Sequence, residues 1–181
     1  MDDISSIDAY QVAIEAGISK EKALETLTFF SRDNARTPMQ WSGEEHAGFT
    51  TGDPWLLENA NYKRINVEEQ QKRDDSVLAY YKKLIALRKD PAYKETLVYG
   101  DFVPVKDCAH NVIAYFRKTD EQTILVAANF GSDSIAISLP ADEKISFSET
   151  KTLLTNGEDA RIVDGVLQLS GQQAVVVLLG R

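Results

Sequence analysis

The residues best suited to chemistry stand together in the run Ser31-Arg32-Asp33-Asn34-Ala35-Arg36-Thr37-Pro38-Met39-Gln40-Trp41. Arg32 and Arg36 each carry a planar fork of N–H donors. Such a fork suits paired oxygens, whether of a carboxylate, a phosphate or the neighbouring hydroxyls of a sugar. Asp33 lies between them and can orient a guanidinium. Pro38 pushes Thr37 toward extended geometry, so the run leaves helix here. The charged trio is therefore placed at or just past a helix C-terminus, next to the aromatic Trp41. On these residues alone two readings stand. The charges close the loop as a local ion-pair network, or they offer arginine donors to a ligand.

The elements that must position this run are short. Residues 1–30 read as two helices. Ile7, Tyr10, Val12 and Ile14 give a loose apolar stripe stopped at Gly17. Ser19 then has the side chain of an N-cap, and Ala23, Leu24, Leu27 and Phe30 recur at helical spacing. Residues 32–74 show no period and are punctuated by Gly43, Gly48, Gly52, Pro54 and Asn59. A loop of that length reads as a surface wrap on something larger, with Trp41, Phe49 and Trp55 as its anchors. Asp74 or Asp75 is the expected cap of the clearest helix, Ser76 to about Lys89. Its stripe is Val77, Tyr80, Tyr81, Leu84 and Leu87, and Asp90-Pro91 ends it.

From Leu97 the period changes to two. Candidate strands fall at 97–100, 102–105, 112–118, 122–129, 134–139, 146–154, 162–163, 166–169 and 174–179. Asn156-Gly157 and Asp164-Gly165 are tight-turn pairs. Short strands at this spacing argue for an antiparallel sandwich. The unbroken apolar run Ala174 to Leu179 is expected as a central strand. The fold class is α+β, with a helical and irregular segment over 1–92 and an all-β antiparallel Greek-key sandwich over 93–181.

The motif run, followed by Ala47-Gly48-Phe49-Thr50-Thr51-Gly52, Pro54-Trp55, Asn61-Tyr62-Lys63 and Ile65-Asn66-Val67, resembles glycoside hydrolase family 13. The similarity is to the oligo-1,6-glucosidase and dextran glucosidase branch, with trehalose-6-phosphate hydrolases close. It covers nearly the whole chain. In that family the run follows the last strand of a (β/α)8 barrel, and the nucleophile, general acid and third carboxylate lie upstream. The resemblance thus implies that residues 1–92 are a remnant of the barrel's end, that no catalytic acid is present, and that the missing barrel domain is the partner. It implies substrate contact by Arg36, and secondly by Arg32, to a terminal glucose in the intact enzyme, with Asp33, Gln40 and Trp41 in support. The helix 76–89 would turn its stripe toward absent barrel strands. That orphaned face of 1–92 would also suit a homodimer. The alternative to a fragment, inactive alone, of an enzyme that trims terminal α-1,6-linked glucose is a non-catalytic carbohydrate-binding or assembly module.

Composition sets outer limits. With 181 residues the chain is shorter than the barrel's usual length of about 250. The net charge of −8 disfavours nucleic acid and anionic membranes. The single Cys108 points to a reducing compartment, and its thiol reads as a small packed side chain. The start, Met1-Asp2-Asp3-Ile4, has no signal-peptide pattern, and no apolar run nears the roughly 18 residues of a membrane span. A cytoplasmic protein is expected. No cofactor or metal is implied: Glu44-Glu45-His46 reads as surface charge, and His110 sits in an expected turn with no partner in view.

Overall fold

The structure, a computed structural model, describes residues 3–140 and 145–180, so Met1 and Asp2 of the N-terminal run lie outside it. The chain divides into two compact units, 1–79 and 80–181.

In the first unit, helices α1 (Ile4–Glu15) and α2 (Lys20–Phe30) form where expected, but of their apolar stripes only Ala23 is buried. Gly17 separates them at φ +81°, a conformation glycine adopts without strain. Ser19 caps α2, its hydroxyl accepting from the Lys22 amide at 3.3 Å. Residues 32–74 are less irregular than the absence of a period suggests. Asx and Ser side chains nucleate short turns there: 3₁₀ turns at Arg32–Ala35 and Ala60–Lys63, and helix α3 (Val67–Gln71). Asn66, 2% exposed, caps α3 through the Glu69 amide at 2.9 Å. These turns carry no apolar period because they bury almost nothing. Helix α4 (Val77–Lys89) begins as expected, with a different cap. Ser76, not Asp74 or Asp75, accepts from the Ala79 amide at 3.1 Å. Asp75 is instead engaged by both guanidinium arms of Arg73 at 2.9 and 2.8 Å.

Among the described residues the second unit holds eight strands: β1 (Asp101–Pro104), β2 (Val112–Lys118), β3 (Thr123–Asn129), β4 (Ile135–Ser138), β5 (Ser146–Thr155), β6 (Arg161–Val163), β7 (Val166–Leu169) and β8 (Ala174–Gly180). They form two antiparallel sheets, ordered β1-β2-β3-β8-β5 and β4-β7-β6. Among the described residues there is no barrel. Alternate residues of both sheets meet in one core: Phe116, Leu125, Val175 and Val177 from the larger, Ile137, Leu167 and Leu169 from the smaller. Asp164 and Gly165 adopt φ +49° and +74°, the paired left-handed geometry of a two-residue hairpin turn, and join β6 to β7. Asn156-Gly157 does not close a hairpin, since β5 and β6 belong to different sheets. There the Asn156 side chain bridges to the edge of β8, donating to Gln172 O and accepting from the Ala174 amide, at 2.8 and 2.7 Å.

Two expectations are corrected. Leu97–Gly100 is not a strand: Glu95–Tyr99 form a turn of π-helix. The Arg117 guanidinium donates to the carbonyl of Val98 at 3.0 Å, and Leu97 is driven into a second apolar cluster. Packing overrides a β-like local pattern. The stripe of α4 is also not left unpartnered. Tyr80, Leu84 and Leu87 pack with Leu97 onto Ile124, Leu154 and Val176, on the outer face of the larger sheet. Strands β3 and β8 are therefore covered on both faces, which is why the latter reads as an unbroken apolar run. What stays open on α4 is a different face, Val77, Tyr81 and Ile85, at 66, 59 and 50% exposure.

Candidate functional site

The motif run begins where α2 stops. Ser31 is extended (φ −60°, ψ 134°), and its hydroxyl accepts from the Asp33 amide at 3.2 Å. This starts the 3₁₀ turn Arg32–Ala35. Asn34 ties the turn back to the helix, its amide nitrogen donating to Thr28 O at 2.8 Å. Arg36 follows in the turn's wake, and Pro38 prevents any return to helix.

Around this turn four charges form one cluster. Arg36 Nη2 lies 2.5 Å from Asp33 Oδ1, and Arg32 donates to Asp3 Oδ1 through Nη2 at 2.8 Å and Nε at 3.2 Å. The same Asp3 oxygen is 3.9 Å from Arg36 Nη2. Asp3 also donates its backbone N–H to Asp33 Oδ2 at 3.2 Å, and Ser6 Oγ donates to Asp3 Oδ2 at 2.7 Å. Asp3 is 3% exposed. Hydrogen bonds from Arg32 and Ser6 hold its carboxyl down to about 2, against burial, which opposes them. Pairing with Asp3 raises Arg32 in turn. Two arginines and two aspartates balance, so the cluster adds no net charge.

Trp55 completes the surroundings of Arg36, the guanidinium carbon lying 5.6 Å from the ring centroid. Such a stack restrains the planar fork while leaving its edge free to donate. The Arg36 side chain stays 37% exposed. Beside the cluster is a groove of about 330 Å³, lined by Thr28, Ser31, Asp33, Thr37, Leu56 and Leu57.

Gln40 and Trp41 fasten the far end of the run. Gln40 Nε2 donates to Asn61 Oδ1 at 3.0 Å and to Ile65 O. The carbonyls of Gln40 and Trp41 accept the amides of Val67 and Glu68 at 2.9 and 3.0 Å, docking the run on the start of α3. The amides of Trp41 and Ser42 both donate to Ala47 O, at 2.9 and 3.0 Å. The Trp41 ring takes no part and is 51% exposed.

All five residues singled out by sequence thus fall in one neighbourhood. Arg32, Asp33 and Arg36 are joined directly, whereas Gln40, through its side chain and carbonyl, and Trp41, through its backbone, fasten the run that follows. Sequence reasoning missed Asp3 because its partner lies 29 residues away and no local pattern marks it. Trp55 was legible as an anchor but not as the ring beneath Arg36. One reading needs correction: His46 is not surface charge. Its side chain is 24% exposed and its Nδ1 is buried. Cys108 is half-buried, with Sγ 3.6 Å from Val105 O, and burial with Asp107 nearby raises its thiol. Among the described residues no group of three or more His, Cys, Asp or Glu could hold a metal, and no helix is long and apolar enough to cross a membrane.

Chemically, the cluster is built to donate hydrogen bonds from a restrained guanidinium. It is not built to move a proton, since both its carboxylates face arginines and Asp3 stays ionised near neutrality.

Residues 3–100 match the family described as alpha amylase, catalytic domain, and residues 112–176 match the alpha-amylase SusG C-terminal domain. The chain belongs to the α-amylase family of glycoside hydrolases, family 13. It is 42% identical to an oligo-1,6-glucosidase of Bacillus cereus, over 85% of this chain and 27% of that protein. It is 41% identical to a glucan 1,6-alpha-glucosidase of Streptococcus pneumoniae, over 74% of this chain and 24% of that one. A solved trehalose-6-phosphate hydrolase of Bacillus licheniformis superposes with a TM-score of 0.87 at 34% identity, covering 100% of this chain and 32% of that one. The chain thus spans about a quarter to a third of the length of these relatives.

Proposed function

We propose that this chain is the C-terminal portion of an α-glucosidase that removes terminal α-1,6-linked glucose. In that reading Arg36, and secondarily Arg32, donates to the hydroxyls of the terminal glucose, and Asp33 orients the Arg36 fork. Gln40 and Trp41 hold the run in place. The carboxylic acids that cleave the bond come from the missing barrel, so this chain alone turns over nothing. Residues 1–92 belong to the end of that barrel, 93–181 form the supporting sandwich, and the enzyme works in the cytoplasm on oligosaccharide.

The observation that carries the reading is the state of Arg36. It is held by Asp33, stacked on Trp55 and still open on one edge, within the motif that led to the family. A loop-closing ion pair alone has no need of an open, aromatic-backed edge. The relatives named for α-1,6-linked substrates supply the linkage.

The test is glucose release from isomaltose. The isolated chain is expected to give none. Joined in frame behind the upstream portion of the Bacillus cereus relative, it is expected to restore activity, and Arg36→Ala in that enzyme to lower kcat/KM by about 100-fold, the weight of two or more lost hydrogen bonds to a charged donor. Turnover by the isolated chain, or an Arg36→Ala enzyme with unchanged kcat/KM, contradicts the proposal. A second reading, assembly with another copy through the first unit, draws on its exposed apolar side chains. Light scattering that gives a monomer at all concentrations counts against it.

A further inference from the structure

His46, Ala47 and Gly48 all lie in the left-handed region, at φ +50°, +57° and +64°. Two of these three are not glycine, and such residues keep this conformation only where their surroundings impose it. Part of what fixes this turn is visible. Ala47 is fully buried, and its carbonyl takes the amides of both Trp41 and Ser42. At Gly48 a Cβ would stand 2.5 Å from Ser42 Oγ, and the φ of +64° itself favours glycine. The remaining restraint is incomplete. His46 Nδ1 is buried without a hydrogen-bond partner, yet Glu58 Oε1 lies only 3.6 Å away and its side chain is 20% exposed.

We propose that His46 and Glu58 are a protonation-controlled latch that closes the left-handed turn onto the segment carrying Trp55. The neutral imidazole meets the carboxylate with a lone pair or, with its proton on Nδ1, with an uncharged donor. The imidazolium turns a charged N–H toward it, and the charge-assisted bond draws the pair closer. Glu58 is three residues past Trp55, the ring under Arg36. The turn, through Ala47 O, holds Trp41. The latch therefore ties the turn that holds Trp41 to the segment whose Trp55 lies against Arg36. That link to Arg36 rests on the function proposed above, whereas the latch itself does not.

The charges around His46 favour this assignment. Among the described residues Glu58 is the only carboxylate within 4.0 Å of it. Glu44 and Glu45 precede it in the chain, are exposed, and form no ion pair with it. The latch is strongest where Glu58 is charged and His46 is protonated, and it weakens as rising pH takes the proton from the ring.

The test is hydrogen exchange of the Trp41 and Ser42 amides in the 181-residue chain, corrected for intrinsic exchange. Their protection is expected to be about threefold to fivefold greater at pH 5.5 than at pH 7.5, the scale of a partly exposed ion pair. In Glu58→Gln that difference should vanish, while amides of β3 report no change. Equal protection at both pH values in the parent chain, a step that survives in Glu58→Gln, or no protection at either pH overturns the latch. None of these outcomes depends on sugar binding, so the latch and the role of Arg36 fail separately.

Discussion

Between Tyr80 and Arg181, the side chains of Phe116, Ile124, Leu125, Leu167, Val175 and Val177 are sealed to within 1% of full burial. Between Met1 and Ala79, among the described residues, only Ala23, Pro38, Ala47 and Leu56 of the apolar side chains are buried. There Phe29, Phe30, Trp55 and Leu57 stand 78, 75, 74 and 83% exposed. What the first unit does bury is polar: Asp3, Ser6, Ser31, Asn66 and Ser76, each with hydrogen bonds. One region is held by apolar burial, which is large and cooperative. The other is held by caps and ion pairs, each worth about 1 kcal/mol. The first unit thus arranges donors around a site while leaving its aromatics exposed.

That contrast can be broken most directly in the sandwich. Leu125→Ala, at 0% exposure in the shared core, is expected to cost the second unit about 3 kcal/mol in denaturant unfolding. Asn129→Ala should cost about 2 kcal/mol. Its 2%-exposed side chain donates to the carbonyls of Asp133 and Ser170, which would be left without those donors. The two faces of α4 sharpen the comparison. Leu84→Ala, on the sheet-facing side, should cost about 1.5 kcal/mol, and Ile85→Ala, one residue on and half exposed, less than about 0.5 kcal/mol.

The first unit should respond to acid instead. Asp3 has its folded pKa lowered from 3.8 to about 2. A depressed carboxyl stabilises the fold above its unfolded value and loses that contribution as pH falls toward the folded one. Both tryptophans lie in the first unit. Their emission should therefore change between about pH 4 and 2, and Asp3→Asn should abolish this step. The smallest effect is expected at Phe29→Ala, within about 0.5 kcal/mol in either unit.

What could be read from sequence follows the same division. Strands β2 and β7 fall where alternation alone puts them, because burial on defined faces imposes a period. Ser19 and Asp164-Gly165 are legible because their chemistry is local. Leu97 was not, since its helical turn is decided by Arg117 and by a cluster distant in sequence. The cover over Tyr80, Leu84 and Leu87 was missed for a related reason: an apolar stripe shows that a face is buried, not against what. In the site, the Arg32–Asp33–Arg36 run was visible as a motif. Asp3 was hidden among many acidic residues, and His46 looked like the third member of an exposed charge run until its ring proved to be turned inward.

The most direct test of the account follows urea unfolding of the whole chain with two probes at once. Tryptophan emission reports the first unit, and hydrogen exchange of β3 and β8 amides reports the second. The account predicts that the tryptophan transition comes first, at clearly lower urea, leaving the strand amides protected. A single transition, coincident in both probes, would mean that the first unit is as well supported as the sandwich, and would contradict it.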